Sequence, residues 1–163
     1  MEFNVNVRST PITPDGYQKL KTLLKHLKVI ELPRAIKAIA IAREHGDLSE
    51  NAEYNAAKES YELIEKRIKD IQMKLSNVRI INTNQSNITI NKVIFGSKVK
   101  IICLENKKEE DICIVGEYES DWKKGKISIS SPIAKGLMGK SIKDEIKIMI
   151  PKGIKTYKIL YIS

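Results

Sequence analysis

The chain has 163 residues, of which 42% are hydrophobic, and its formal net charge at pH 7 is +9. This length allows one ordinary domain, or a small domain with an extended element, and the hydrophobic content is that of a folded protein. No apolar run is long enough to span a bilayer, and the first residues do not form a signal peptide. We therefore expect a cytoplasmic protein with no membrane partner.

Cysteine and histidine are scarce. Cys103 and Cys113 are too few for a disulfide framework, and we expect both to be reduced and to face each other across a hairpin. The only histidines are His26 and His45, and no CxxC pair occurs, so a zinc site is not expected. The excess of lysine suggests an anionic partner, such as nucleic acid or an acidic protein surface, although a generic solvated surface would carry the same charge.

The first half of the chain begins with a predicted loose arm, residues 1–12, and then shows helical periodicity. Thr13 is a good N-cap, and Pro14 suits the first helical position. Apolar residues at spacings of three and four then predict one buried helix face, formed by Leu20, Leu23, Leu27 and Ile30. Pro33 should kink the helix or reset its phase, and the pattern resumes at Ile36, Ile39 and Ala40.

A second helical pattern has a regular heptad seam. Its members are Tyr54, Ala57, Tyr61, Ile64, Ile68, Ile71, Leu75 and Val78. The connection between the two helices is short, so they must be antiparallel neighbours in a two-helix coiled coil over residues 1–82. We interpret Tyr54 and Tyr61 as seam residues that pack between the helices.

The second half, residues 83–163, changes to a β pattern and is predicted to be a separate small domain. Short runs rich in isoleucine and valine predict strands at 93–95, 98–104, 111–117, 126–130, 145–150 and 156–162. Ser131 and Pro132 predict a short helix that ends near Gly139. The fold class is therefore α+β, with a mainly antiparallel sheet and one short helix after the coiled coil.

The connection between the helices carries an acidic cluster in a basic chain. Asp47 and Glu50 have the spacing of a capping box, and Ser49 offers a second cap position. The same two carboxylates could hold Mg²⁺, but only weakly, because Mg²⁺ needs six oxygen ligands. Such a pair would be useful beside another protein's metal site, where two metal ions can promote phosphodiester cleavage. Spacing alone favours the cap, and the two roles are compatible.

The run of residues 46–54, Gly-Asp-Leu-Ser-Glu-Asn-Ala-Glu-Tyr, resembles the tip signature of the Gre family of bacterial transcript cleavage factors. The resemblance extends to residues 13–19, 74–77, 131–133, 139–140 and 151–153. It implies a coiled coil followed by an FKBP-like domain. It also implies an accessory factor rather than an enzyme, which binds RNA polymerase and passes its coiled coil into the secondary channel. Backtracked RNA is then cut in the polymerase active site.

The resemblance also implies roles for individual residues. Asp47 and Glu50 would help hold a Mg²⁺ ion that is shared with the polymerase, and no cofactor is expected on the chain alone. Ser49 would support the tip. The remaining correspondences are Arg43 and Lys58 for contact with the 3′ end of the nascent RNA, and Pro132 and Ile133 for contact with the polymerase. Glu53 matches the motif in an orienting role, and we expect a monomer when the factor is free.

Two other functions remain open at this point. The chain could be a non-catalytic regulator that blocks or retunes the polymerase through the same channel. It could also be a general nucleic-acid or DNA-binding coiled coil. The intact Asp47 and Glu50 pair favours transcript cleavage over the first alternative. Specific binding to the polymerase would distinguish it from the second.

Overall fold

The computed structural model describes residues 9–44, 52–82, 92–150 and 153–163. The chain divides into two compact units. One contains residues 17–77, and the other combines the segment before residue 17 with residues 78–163. A division at residue 82 was predicted from composition, whereas contacts group residues 9–16 and 78–82 with the C-terminal sheet. In the described ranges, none of the helices combines the length and apolar composition that a bilayer span requires.

The unit of residues 17–77 is a helical hairpin. Its elements are α1 (Pro14–His26, whose first residues lie in the other unit), a π-helical segment (Leu27–Glu31), α2 (Leu32–Glu44) and α3 (Ala52–Ser76). Leu27 packs against Ile68 and Ile71, while Arg43 meets Tyr54, so the two arms run antiparallel as predicted. Residues 17–44 extend over roughly 40 Å.

The seam of α3 is confirmed. From Tyr54 to Leu75, each predicted seam position is buried or half-buried, with Ile68 and Ile71 buried most deeply. Charged residues occupy the other faces, as a heptad pattern requires. The regular spacing of three and four was therefore sufficient to identify the buried face of this helix.

The first arm keeps one buried face through the π-helical segment, in which the Leu32 N–H donates to the Leu27 carbonyl oxygen. This five-residue turn takes up one extra residue, so the seam passes from Leu27 to Leu32 and continues with Ala35, Ile39 and Ala42. The prediction that Ile30, Ile36 and Ala40 lie on the buried face is wrong, because all three are exposed, Ile36 to 52%. The helical phase thus changes at the π-helical turn just before Pro33, and a change of phase was one of the two outcomes predicted for this proline.

The other unit contains two sheets. A small parallel pair joins β1 (Thr10–Ile12) to β2 (Val78–Ile80), with Ile12 opposite Ile80. The larger sheet has the order β5-β4-β3-β7-β6. Its elements, with the helix that precedes β6, are β3 (Lys98–Cys103), β4 (Glu109–Val115), β5 (Lys126–Ser128), α4 (Pro132–Leu137), β6 (Glu145–Ile150) and β7 (Gly153–Ile162). All its neighbouring pairs are antiparallel except β4 with β5.

One face of the larger sheet packs on α4 and forms the core of this unit. The most deeply buried members are Ile101, Ile114, Leu137 and Ile159. Ser131 caps α4, since its side-chain oxygen accepts a hydrogen bond from the Ala134 N–H at 3.1 Å. The hairpin, the small mainly antiparallel sheet and the capped short helix confirm the predicted α+β class.

The start of α1 is anchored by Glu119, in the 3₁₀ turn Glu117–Glu119. The carboxylate of Glu119 accepts hydrogen bonds from the Thr13 N–H at 2.8 Å, from the Thr13 hydroxyl and from the Gly116 N–H at 3.2 Å. Thr13 in turn accepts from the Gly16 N–H at 3.0 Å, as an N-cap does. A Cβ at position 16 would lie 2.1 Å from the Glu119 carboxylate, so only glycine fits there.

Three details differ from the predictions. Residues 10–12 form a strand rather than part of a loose arm. Val93 and Phe95 are buried, but this segment is irregular instead of a strand. The two cysteines are free, yet they do not face each other, because Cys113 pairs with Lys98 and Cys103 pairs with Tyr157. Cys103 is at the end of β3, whereas Cys113 on β4 is opposite the start of β3, a separation that the register of the strands determines.

Glu105 ties the turn after β3 to β7, and this contact should make stability depend on pH. Its carboxylate accepts hydrogen bonds from the Cys103 thiol at 3.1 Å and from the Thr156 N–H at 2.7 Å. These bonds lower the pKa of Glu105 from 4.5 to about 2. Since the pKa is lower in the folded state, the stabilisation is fully present above the unfolded pKa and is lost as pH falls toward 2.

We expect Glu105→Gln to be less stable than the wild type at pH 7, with a difference that shrinks between pH 4.5 and about 2. Urea unfolding of both proteins across this range measures the difference. Glu117→Gln, an exposed carboxylate of the same unit, is the control. A Glu105→Gln difference that stays constant down to pH 2 would contradict the assignment.

Candidate functional site

Two helix ends meet where α2 stops and α3 begins. Arg43 lies on an exposed face near the end of α2, and Tyr54 is half-buried in the first turn of α3. The Cζ atom of Arg43 is 5.7 Å from the centroid of the Tyr54 ring, within the range of a cation–π interaction. This contact links the two helices beside the connection that carries Asp47 and Glu50 in the sequence.

Lys58 follows Tyr54 by one helical turn on the same face of α3. Its Nζ atom is 3.9 Å from a carboxylate oxygen of Glu62, and its side chain is 57% exposed. An exposed pair of this kind is worth at most about 1 kcal/mol, so Lys58 can exchange Glu62 for another anion. The structure thus places Arg43, one predicted RNA contact, over the Tyr54 ring, and Lys58, the other, one turn further along α3.

Three alanines lie on the seam toward this end of the hairpin. Ala35 and Ala42 of the first arm are buried, and Ala57 of α3 is half-buried. Small side chains at the contact allow two helices to approach closely. Leucine and isoleucine fill another part of the seam, where Leu27 packs with Ile68.

The predicted metal pair lies outside the described residues. Asp47, Glu50 and the supporting Ser49 belong to residues 45–51, so their roles stay predictions. Glu53 is in the first turn of α3, where a carboxylate interacts favourably with the helix dipole. Within the described ranges, no group of three histidine, cysteine, aspartate or glutamate side chains could hold a metal ion.

Pro132 and Ile133 occupy the first turn of α4 and differ in their surroundings. Pro132 is exposed, whereas Ile133 is half-buried and packs against the core of the sheet unit. Pro132 is therefore the more accessible of the two predicted polymerase contacts, and much of the Ile133 side chain serves packing.

Sequence reasoning missed the contact of Tyr54 with Arg43. We predicted that Tyr54 packs on the seam between the helices, and its side chain is indeed half-buried. The available signal was its place at the end of the seam, opposite an arginine at the end of the preceding helix. An aromatic ring there can serve both the seam and the cation.

The two units define a class of protein in which a helical hairpin with a basic and aromatic end is joined to a small sheet domain. Two family models match successive parts of the chain. "Transcription elongation factor, N-terminal" covers residues 10–80, and "Transcription elongation factor, GreA/GreB, C-term" covers residues 85–163. The chain belongs to the GreA/GreB family of transcription elongation factors.

Curated relatives agree with this assignment. Transcription elongation factor GreA of Thermodesulfovibrio yellowstonii is 48% identical over 153 residues, with 94% of this chain and 96% of the relative covered. The protein of the same name from Buchnera aphidicola subsp. Acyrthosiphon pisum is 52% identical over 154 residues, with the same coverage. These names confirm the predicted family and agree with the prediction of an accessory factor rather than an enzyme.

A solved structure was also compared. GreA factor homolog 1 of Thermus thermophilus is 26% identical and aligns over 96% of this chain and 99% of its own, with a TM-score of 0.43.

Proposed function

We propose that this chain binds RNA polymerase, enters its secondary channel with the helical hairpin and stimulates cleavage of the 3′ end of backtracked RNA. The main support is the contact of Arg43 with Tyr54, which links the ends of α2 and α3 on either side of Asp47 and Glu50 in the sequence. Membership of an elongation factor family supports the proposal. Cleavage would release the arrested end, so that transcription resumes.

Asp47 and Glu50 would hold a Mg²⁺ ion together with the polymerase. Their carboxylates are the oxygen ligands that Mg²⁺ prefers, but two of them leave most of its six positions unfilled. The donor set therefore suits a shared site and not a cage within this chain. A Mg²⁺ ion bound there would supply charge stabilisation and an activated water for phosphodiester cleavage. Ser49 would support the two carboxylates.

Arg43 and Lys58 would bind the displaced RNA. Both cations are exposed, Arg43 over the Tyr54 ring and Lys58 one turn further along α3. A cation on a rigid helix can position a phosphate without reading the base sequence. This arrangement suits a factor that must act on any transcript, and it would hold the RNA end next to the acidic run.

The sheet unit would bind the polymerase, with Pro132 as one contact. Its exposed ring sits on the capped first turn of α4, so it is held rigidly. A rigid apolar contact loses little entropy on binding. Ile133 would contribute mainly by fixing this turn against the core.

A stalled, backtracked elongation complex with end-labelled RNA tests the proposal. We expect the wild-type chain to shorten the transcript in a reaction that depends on Mg²⁺. A chain that binds the polymerase and slows it without shortening the transcript would instead be a non-catalytic channel regulator. Failure to bind the polymerase specifically would favour a general nucleic-acid binder.

Tyr54 offers a sharper test of the RNA contact. We expect Tyr54→Leu, which keeps an apolar seam residue, to weaken crosslinking to the RNA 3′ end by about two- to fivefold, since a cation–π contact at an exposed site is worth roughly 0.5–1 kcal/mol. Tyr54→Phe keeps the ring and should crosslink like the wild type.

An Arg43→Met background provides the control. Once the cation is gone, Tyr54→Leu should have no further effect on crosslinking, as a double-mutant cycle of two interacting residues requires. Equal losses in Tyr54→Phe and Tyr54→Leu, or additive losses with Arg43→Met, would show that the ring acts only through packing.

A further inference from the structure

The sheet unit contains a second site of a different kind. A cavity of about 650 Å³ lies on the face of the large sheet opposite its core and is bordered by the start of α1. This volume is in the range of small-molecule binding sites. Its charged side chains are four lysines and two aspartates, which give a net charge of +2: Lys98, Lys100, Lys124, Lys126, Asp15 and Asp111.

The lysines converge because of strand register. Lys98 on β3 is opposite Cys113 on β4, and Cys113 is in turn opposite Lys126 on β5. The three residues form one row across the sheet, so the two lysine Cα atoms are roughly 10 Å apart, or two strand spacings. Two lysine side chains can bridge this distance to contact one anion between them.

The charge in this row is not cancelled by the sulfur. Burial raises the pKa of the Cys113 thiol, while the neighbouring Lys126 and Lys98 ammonium groups oppose that rise. The thiol is therefore neutral near pH 7 and supplies a compact apolar floor between the two cations.

The existing ion pairs in the cavity are easily exchanged. Lys126 is 3.8 Å from Asp15, and Lys100 is 3.8 Å from Asp111 and from Glu109, all of them long contacts. Lys124 has a closer partner in Asp121, at 3.2 Å. Such pairs contribute little. Among the described residues, no carboxylate lies within 4.0 Å of the Lys98 ammonium group, so this cation is available to a ligand.

An aromatic ring completes the cavity wall. Tyr161 on β7 is opposite Lys100 on β3, and its side chain is 58% exposed although it sits on a sheet. An exposed aromatic ring beside lysines favours a ligand that has both a planar face and phosphate groups, because bases stack on aromatic rings. A bare inorganic ion would leave most of the cavity and the ring unused.

We propose that this cavity binds a nucleoside phosphate, with phosphate groups between Lys98 and Lys126 and the base against Tyr161. The size of the cavity accommodates a single nucleotide rather than a strand. The site lies wholly within the sheet unit and is separate from Arg43 and Lys58. The proposal therefore does not depend on transcript cleavage.

Isothermal titration of the full chain with GTP, ATP, inorganic triphosphate and a ten-residue RNA tests this assignment in the absence of polymerase. We expect both nucleotides to bind more tightly than inorganic triphosphate. The double variant Lys98→Gln/Lys126→Gln should bind the nucleotides about tenfold more weakly, because two charge-assisted contacts are removed. Lys147→Gln, an exposed lysine on β6 outside the cavity, should bind like the wild type.

Tyr161→Ala distinguishes the contribution of the base to affinity from that of the phosphate groups. It should lower nucleotide affinity to that of inorganic triphosphate and leave triphosphate binding unchanged. Three results would overturn the proposal: no nucleotide binding at millimolar concentration, equal affinity for nucleotides and triphosphate in the wild type, or RNA binding far more tightly through the same lysines. Thermal unfolding checks that each variant is folded.

Discussion

Asp47→Asn and Glu50→Gln are each expected to abolish stimulated cleavage of backtracked RNA while leaving polymerase binding intact. Each substitution keeps the shape of the side chain but removes the negative charge that Mg²⁺ requires. Because two carboxylates supply only part of the coordination, loss of one leaves too little to retain the ion. We expect a decrease in the cleavage rate on the order of a hundredfold or more.

The measurement uses end-labelled RNA in stalled complexes, with polymerase binding assayed separately by competition against labelled wild-type factor. Glu59→Gln is a matched control, because Glu59 is an exposed carboxylate on α3 beyond the acidic run. Raising the Mg²⁺ concentration should partly restore the variants, which a purely structural defect would not show. Wild-type cleavage by both variants would refute a metal-holding role.

Glu119→Ala should cause the largest loss of stability among substitutions outside the hydrophobic cores. It removes the acceptor for the Thr13 and Gly116 N–H groups and for the Thr13 hydroxyl. Leaving such donors unpaired costs about 1–3 kcal/mol each, so we expect the free energy of unfolding to fall by about 3 kcal/mol. Glu119→Gln retains one acceptor oxygen and should lose less.

Urea unfolding measures this loss, and hydrogen exchange locates it. The Ile81 N–H donates to the Ile12 carbonyl oxygen at 2.9 Å, so its protection reports on the β1–β2 pairing. The protection of the Ile81 N–H should decrease in Glu119→Ala. Glu117→Ala, in the same turn, should unfold like the wild type. A Glu119→Ala protein within about 0.5 kcal/mol of the wild type would show that solvent replaces the carboxylate.

Elements whose signals lie within a few neighbouring residues could be predicted from the sequence. The seam of α3 follows from apolar spacing, and the α4 cap follows from a serine before a proline. The prediction of the α2 seam failed for two reasons. The π-helical turn adds one residue to the spacing, and in the sequence the apolar Ile36 is as suitable for burial as Ala35. Small residues at a seam carry a weak hydrophobic signal even where close helix packing requires them.

Contacts between distant parts of the chain could not be predicted from one sequence. Glu119 and Thr13 are 106 residues apart, and neither is unusual in its local context. The pairing of β1 with β2 likewise joins segments that are far apart in the sequence. At the site, the family resemblance identified Arg43 and Lys58, but only the structure gave the ring contact that joins Arg43 to Tyr54.

The closure of the sheet unit by its earliest residues has a consequence for synthesis on the ribosome. Residues 10–12 emerge first, yet their partners in β2 follow the whole hairpin, and Glu119 emerges later still. The hairpin depends on contacts between its own two arms and can fold while translation continues. The leading segment must wait, so Thr13 and β1 gain their partners only when most of the chain has been made.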